Sequence, residues 1–435
     1  MASSDIVFTS YVEGGPPLMV PNTTSKIQAS FRVSPIHVTT ANTLRRQILA
    51  AVPTLGFKTE PPELSDVFID TNTTPLVNEM LMHRIGMIPI AVTNPQEFNV
   101  ENYEFRLNVE NVGKEPVNVT ASNIKVIHKT PEGTEETMKT EDFFPVDPIT
   151  KESSLITVLR QQYNMDTPTE KLSIRAKASV GTGRQNMRYS PVAQCSYEYT
   201  QSEDQSEIDR MYKTWLFTSK KVPDPEKLPA ERTTELRREF DNLERQRCFL
   251  KNEKGEPYDF IFHVESVGIF SVPKIVELGW KACEDLVTPY TTLDVEILQN
   301  VSIAPAKTRS AVQGFEITFQ NEEHTLGNLL QTFLVERHIE GTEIPKLQYA
   351  AYKVPHPLRQ EMVLFVTPAD GQEATARKAV ANVCKYLKGY FNDAMNQWVS
   401  TPKGPVAPKP ELQQAPEPLV TAAAAKRRTA AAKRK

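Results

Sequence analysis

Residues 321–339, NEEHTLGNLLQTFLVERHI, contain the clearest structural signal in the chain. Apolar residues recur there every three or four positions, which predicts an amphipathic helix with one buried side. These positions are Leu326, Leu329, Leu330, Phe333 and Leu334. Thr325 is a candidate N-cap. Gly327 is unfavourable in a first helical turn, so we expect another backbone to pass close by. The pattern predicts a helix that crosses a second helix.

This helix belongs to a compact unit, residues 314–399. A strand at 314–319 precedes the helix, paired strands follow at 347–354 and 362–367, and a long apolar helix begins after Gly371. The last helix extends for about 40 Å at 1.5 Å per residue. A unit of this size cannot cover two strongly apolar helices alone, so we expect a second, similar surface to pack against it.

The N-terminal half repeats this order. A strand pattern at 25–38 precedes a helix at 39–52 with Ala41, Leu44 and Ile48 on its apolar side, and a strand at 258–267 precedes a helix at 272–287. We therefore predict two pseudo-equivalent modules that pair within one chain, as in a two-fold dimer. Arg45 and Arg46 lie off the apolar side, where they are either solvated or suited to bind a partner's carboxylates.

The remaining segments complete an α+β organisation. The first module comprises 1–54 and 190–290 and is interrupted by a β-rich insertion domain, 55–189, and by a charged excursion, 203–255, interpreted as a solvent-exposed helix. In the insertion we expect strands at 66–70, 104–109, 117–128 and 172–178 and a helix at 75–85. The basic loop 179–191 more closely fits a protein contact than a phosphate site. A linker, 291–313, and a disordered basic tail, 400–435, are also predicted.

Composition limits the possible functions. The formal net charge is −4 over 435 residues, so only the tail, with its KRR and KRK clusters, is locally basic. The sequence leaves three roles open for the basic clusters of the tail: a nuclear import signal, contact with nucleic acid, or a solubilising end. No run approaches a membrane span, and the start lacks a signal-peptide pattern. Four separated cysteines predict neither a metal site nor disulfides, and no cofactor is expected. An intracellular, reducing compartment fits these features.

Two blocks in the second unit resemble a known family. His324-Thr325-Leu326-Gly327-Asn328 and residues 352–358, YKVPHPL, are similar to the small α-like subunit of cellular RNA polymerases. The N-terminal half resembles the larger α-like partner through these residues: Asn42, Leu44, Arg45, Arg46, Val52, Pro53, Thr54, Asn72, Glu79, His83, Arg84, Gly86, Pro89, Ser190, Pro191, Val192 and Ala193. Fusion of the two resembles the arrangement in large DNA viruses.

The resemblance implies two α-like dimerisation modules, the first interrupted by the insertion, and a non-catalytic assembly role. Implied partners are two large catalytic subunits and small zinc-bearing subunits, with DNA contact indirect or through the tail and no membrane contact. The implied intramolecular interface contains Leu44, Ile48, Leu326, Gly327, Leu330, Phe333 and Leu334. The implied docking residues for a large subunit are Arg45, Arg46, His83 and Arg84.

Some features depart from the family. Residues 55–190 contain no cysteine, unlike many relatives, so no metal is expected there, and Asn78 replaces a common acid. The sequence shows no catalytic residues, P-loop or clustered catalytic aspartates. The alternative function is a free-standing DNA-binding transcription regulator that uses the basic tail. Host cytoplasm or virion would fit a viral source, and the tail would fit the nucleus.

Overall fold

The computed structural model describes residues 6–18, 25–92, 94–130, 133–147, 149–162, 168–222, 229–306 and 314–403. The predicted tail beyond Lys403 and the predicted linker from residue 307 onward lie outside the described residues. The α+β class predicted from the sequence is confirmed. Within the described ranges, no helix is both long enough and apolar enough to cross a bilayer.

The helices are α1 Val38–Ala50, α2 Asn78–Gly86, α3 Gln205–Thr218, α4 Ala230–Leu243, α5 Val272–Val287, α6 His324–Leu334 and α7 Glu373–Ser400. Helix α6 continues as a π-helical turn, Val335–Glu340. The strands are β1 Val7–Pro17, β2 Lys26–Ser34, β3 Pro53–Gly56, β4 Val67–Asn72, β5 Tyr103–Asn111, β6 Val117–Thr120, β7 Lys125–Lys129, β8 Glu135–Met138, β9 Leu155–Leu159, β10 Glu170–Ala176, β11 Ser179–Thr182, β12 Val192–Tyr199, β13 Phe260–Ser266, β14 Val301–Pro305, β15 Phe315–Gln320, β16 Leu347–Lys353 and β17 Glu361–Pro368.

Two four-stranded antiparallel sheets have the same connectivity. The strand order is β1-β2-β13-β12 in the first and β14-β15-β17-β16 in the second. In each set a hairpin leads into a helix, two further strands follow, and a last helix ends the unit. We call β1, β2, α1, β12, β13 and α5 the first module, and β14, β15, α6, β16, β17 and α7 the second module.

The leading strand of each module was not predicted. Strand β1 contains two glycines, two prolines and two register shifts against β2, which hide the alternation typical of a strand. Strand β14 lies inside the interval predicted as a linker. Both are edge strands that pair with only one neighbour, so their sequences need less regular alternation than central strands do.

The two modules share one hydrophobic core. Helices α5 and α7 pack along each other, and the Trp280 ring lies 6.2 Å from Phe391. At the end of α7, Trp398 packs 4.7 Å from Phe31 and donates a hydrogen bond of 2.9 Å to the Pro273 carbonyl. Trp398 is 1% exposed and Trp280 is fully buried. The long helix of the second module is therefore covered by the first module.

The insertion has a separate core beneath a five-stranded sheet of order β4-β10-β5-β7-β8. The prediction of one strand at 117–128 is wrong. Residues 121–123 form a 3-10 turn in which Thr120 and Asn123 make a capping box, so the chain leaves β6 and enters β7. Strand β6 pairs with β9, whereas β7 joins the large sheet. Apolar alternation alone did not reveal this local turn.

The charged excursion also differs from the single exposed helix that we predicted. It contains two helices, α3 and α4, which form a small core of their own. Buried members of this core are Ile208, Trp215, Leu216, Leu236, Phe240 and Cys248. The many charges concealed the few apolar positions, and Arg237 stacks 4.9 Å from the Tyr212 ring at the edge of this core.

Two mid-helix glycines offer a matched test of the packing between α1 and α5. A Cβ at Gly279 of α5 would overlap the Ile48 side chain, whereas a Cβ at Gly389 of α7 would meet nothing within 4 Å. We expect Gly279→Ala to lower the free energy of unfolding by about 1–3 kcal/mol through overpacking. We expect Gly389→Ala to raise it by about 0.5–1 kcal/mol through helix propensity. Urea unfolding of both variants measures this difference, and equal signs would contradict the close contact.

Candidate assembly interface

Helices α1 and α6 meet through polar side chains. The hydroxyl oxygens of Thr39 and Thr332 lie 3.2 Å apart, and Asn328 donates to Thr39 Oγ1 over 3.3 Å. Arg46 Nε donates to Thr325 Oγ1 over 2.5 Å. These contacts join residues that are almost 300 positions apart along the chain.

The contacts obey an approximate two-fold symmetry. Helix α1 begins four residues after the end of β2, and α6 begins four residues after the end of β15. When the helices are aligned from these starts, Thr39 corresponds to Thr325 and Arg46 corresponds to Thr332. The Arg46–Thr325 and Thr39–Thr332 contacts are thus two copies of one contact, as expected for an isologous interface.

The apolar residues predicted for the interface are all buried in the shared core. Their exposed fraction is at most 5%, in the following set: Leu44, Ile48, Leu326, Leu330, Phe333 and Leu334. A Cβ at Gly279 of α5 would meet the side chains of Leu44 and Ile48. These two α1 residues therefore pack on α5 of their own module. Sequence reasoning missed that α5 and α7 form the larger helix contact, although the length of α7 pointed to it.

The predicted role of Gly327 is wrong. A Cβ at this position would overlap the Tyr352 ring, which belongs to β16 of the same module, so the close approach is to a side chain and not to a second helix. Thr325 is also not the N-cap, because α6 begins at His324 with Glu323 at the cap and no side-chain cap bond. The Thr325 hydroxyl instead accepts a hydrogen bond from Arg46 Nε.

Two arginines converge on the start of α6. Arg184, in the loop predicted to contact protein, donates from Nη2 to the Asn321 carbonyl over 2.5 Å and lies 3.3 Å from Glu323. Arg46 Nη2 lies 3.6 Å from the other Glu323 oxygen. These side chains are about half exposed, so each ion pair contributes at most about 1 kcal/mol. Together they join α1, the loop after β11 and the second module.

A cleft of about 460 Å³ opens beside this cluster, between α1, α5 and the loop before α6. Glu322 lines it and accepts a 3.0 Å hydrogen bond from the Tyr290 hydroxyl. Burial raises the pKa of the Glu322 carboxyl, while the bond from Tyr290 opposes that rise. This bond joins the loop before α6 to the 3-10 turn that follows α5.

Arg45 is arranged differently from Arg46. Within the described chain its guanidinium donates only to Asn42 Oδ1, over 3.1 and 2.9 Å, one turn earlier on α1. Among the described residues no carboxylate lies within 4.0 Å of it. It borders an open groove of about 540 Å³ between α1 and β12, which we call the β12 groove, lined by Asn42, Arg45, Cys195, Ser196, Tyr197, Glu198, Tyr199, Gln201 and Gln246.

The other two predicted docking residues lie on α2 of the insertion. His83 is 65% exposed and its Nδ1 lies 3.3 Å from Glu60. Arg84 donates to the carbonyl oxygens of Ile156 and Leu155, over 2.6 and 2.9 Å, and so fixes α2 to β9. His83 is available to a partner, while Arg84 already has acceptors within the chain.

The remaining reactive groups have structural surroundings. All four cysteines are buried and free, and burial raises the pKa of Cys195 to about 12 against the opposing charge of Arg45. His324 Nδ1 lies 3.3 Å from the Tyr352 hydroxyl. Across the described parts of the chain, no group of three or more His, Cys, Asp or Glu side chains could hold a metal ion.

Comparisons with known proteins agree with this architecture. The RNA polymerase Rpb3/Rpb11 dimerisation domain matches residues 315–397, most of the second module. DNA-directed RNA polymerase II subunit RPB3 of Schizosaccharomyces pombe is 24% identical over 280 residues, 60% of this chain and 82% of that protein. DNA-directed RNA polymerases I and III subunit rpac1 of Dictyostelium discoideum is 28% identical over 181 residues. This match includes 38% of this chain and only 48% of that protein.

The second module has a more similar relative. DNA-directed RNA polymerase subunit Rpo11 of Sulfolobus acidocaldarius is 32% identical over 77 residues, which are 18% of this chain and 76% of that protein. Similarity to Rpo3 or RPB3 proteins and similarity to Rpo11 proteins thus occur in one polypeptide. With its repeated module and its matched dimerisation domain, the chain belongs to the Rpb3/Rpb11 family of DNA-directed RNA polymerase subunits.

Proposed function

We propose that this chain is a non-catalytic assembly-platform subunit of a DNA-directed RNA polymerase. Its two modules pair within the chain, and the resulting platform docks the two large catalytic subunits and small zinc-bearing subunits. The shared core supports this proposal best, because the matched dimerisation domain already has its partner in the first module. The other faces of the pair are therefore free to bind other proteins.

We further propose that Arg45, Arg46, His83 and Arg84 mark the face that docks a large subunit. Arg45 and His83 fit direct contact best, because neither is fully engaged within the chain. Arg46 and Arg84 donate to acceptors of the chain itself, so they also hold this face in shape. No catalytic residue, metal or cofactor is proposed for the chain, and nucleotide addition is assigned to its partners.

The proposed complex works inside a cell. Four free, buried cysteines suit a reducing compartment. The basic clusters that would distinguish nucleus from cytoplasm or virion lie outside the described residues.

Gentle affinity purification of the full-length chain from its native cells tests the proposal. We expect two larger polypeptides and several small zinc-containing ones to accompany it, and the complex to synthesise RNA from a DNA template. The purified chain alone should be inactive, which is the control. Recovery of the chain without polymerase subunits, together with salt-sensitive binding of the isolated chain to duplex DNA, would favour the DNA-binding regulator instead.

Single substitutions at Arg45 and Arg46 should separate docking from internal pairing. We expect Arg45→Ala to change the free energy of unfolding by less than about 0.5 kcal/mol but to reduce recovery of a large subunit. Arg46→Ala should cost about 1 kcal/mol, because it removes a charge-assisted bond to Thr325 that is partly exposed. Chemical unfolding and quantitative co-purification measure the two effects.

Arg238→Ala is the matched control for these variants, because Arg238 is an exposed arginine on α4, outside both modules. It should change neither the unfolding free energy nor the recovery. Equal recovery from the Arg45→Ala and Arg238→Ala variants would contradict the docking role of Arg45.

A further inference from the structure

The β12 groove exposes the edge of a sheet. Within the described parts of the chain, β12 is hydrogen-bonded to β13 on one side and to no strand on the other. Five consecutive residues, 195–199, line the groove, so it follows the strand's backbone and does not sit on one face of the sheet. At about 3.3 Å per residue this edge extends for about 16 Å. An unpaired edge of this length can hydrogen-bond an added strand.

The second module has the equivalent edge on β16, where one outward N–H is bonded within the chain. In the first sheet Tyr197 of β12 lies beside Phe262 of β13, which lies beside Phe31 of β2. In the second sheet Tyr352 of β16 lies beside Leu364 of β17, which lies beside Ile317 of β15. The two tyrosines therefore occupy equivalent positions. Gln331 Oε1 accepts the Tyr352 backbone N–H over 3.1 Å. The Tyr352 ring covers Gly327 on α6. The Gln331 amide therefore satisfies one outward N–H of this edge.

Arg45 lies seven residues after the start of α1, and Gln331 lies seven residues after the start of α6, so the two positions are equivalent. A guanidinium has no acceptor, so it cannot satisfy the outward N–H of Tyr197 as Gln331 satisfies that of Tyr352. The Tyr197 ring packs against Phe260 and Phe262, with centroids 5.4 and 5.5 Å away. The edge beside α1 is left open, and a cation without a carboxylate partner in the described chain borders it.

We propose that the β12 groove binds an extended, acidic segment of a partner polypeptide, which adds as a strand to the edge of β12 and places an Asp or Glu carboxylate on Arg45. An added strand satisfies the edge N–H groups, and the guanidinium fork suits a carboxylate. The proposal rests on the proposed function and specifies its docking site. The equivalent edge of β16 does not bind the segment, so docking occurs on one module only.

Photo-crosslinking tests where the segment binds. A benzophenone amino acid replaces Glu198 in one variant and, in a matched variant, Lys353, which follows Tyr352 as Glu198 follows Tyr197. In the affinity-purified complex we expect at least ten-fold more cross-linking from position 198, to a partner peptide that contains Asp or Glu. Equal yields, a peptide without an acidic residue, or cross-linking to nucleic acid would overturn the proposal.

Charge reversal tests the role of Arg45. We expect Arg45→Glu to lower recovery of the cross-linked partner at least ten-fold, and replacement of the partner's acidic residue by Arg to restore it. Gln331→Glu is the control, because it keeps an acceptor for the Tyr352 N–H and should leave recovery unchanged. Unchanged recovery with Arg45→Glu would overturn the groove assignment.

Two substitutions of Tyr197 test the backbone contact. Both Tyr197→Ala and Tyr197→Pro remove the ring, but only proline removes the edge N–H. We expect recovery of the partner to be at least five-fold lower with proline than with alanine, and equal recovery would contradict strand addition. Circular dichroism monitors folding, and if the proline variant does not fold, the Arg45→Glu result decides. Failure of the wild-type chain to recover any polymerase subunit would instead refute the proposed function.

Discussion

The structure depends on the burial of α7 against the first module. This helix has 28 residues, about 42 Å of length, and buried side chains from Ala376 to Trp398. The sheet of the second module covers only part of such a helix. The rest packs on α5 and on the aromatic side chains of β1 and β2, where Trp398 lies among Phe8, Tyr11 and Phe31. Each fully buried aromatic or leucine side chain contributes about 1.5–3 kcal/mol, so neither module is expected to be stable without the other.

A single chain changes the thermodynamics of this pairing. Two separate subunits would associate to an extent that depends on their concentrations, and each would expose an apolar face while alone. Tethering makes this association intramolecular, so it no longer depends on the concentration of a separate partner. The polar contacts between α1 and α6 then serve mainly to fix the angle and register of the helices, since half-exposed ion pairs such as Arg46–Glu323 add little stability.

Helical periodicity predicted α1, α5 and α7 to within about two residues, and it predicted α6 together with the π-helical turn that continues it to Glu340. It also predicted that the halves repeat. The failures have identifiable physical causes. Glycines, prolines and register shifts hid β1, and a capping turn split the strand predicted at 117–128. Gly327 was misassigned because sequence shows that space is short near a glycine but not which group fills it.

The candidate site was predictable only in part, for a similar reason. The sequence shows that Arg45 and Arg46 lie off the apolar side of their helix, but it does not show partners that are distant along the chain. Arg46 and Arg184 donate to Thr325 and Asn321 of the second half of the chain, whereas among the described residues Arg45 donates only to Asn42 of its own helix. The distinction between an engaged and an available arginine arises from tertiary structure alone.

Covalent pairing also permits the two halves to differ. A dimer of identical subunits repeats every surface, so a docking groove on one subunit must recur on the other. Here the equivalent helix positions carry Arg45 and Gln331, and the equivalent edge tyrosines pack in different directions. Gln331 accepts the outward N–H of Tyr352 at the edge of β16, whereas Arg45, at the equivalent helix position, has no acceptor to offer the edge of β12. The approximate symmetry builds the core, and the departures from symmetry make the exposed faces of the two modules different from each other.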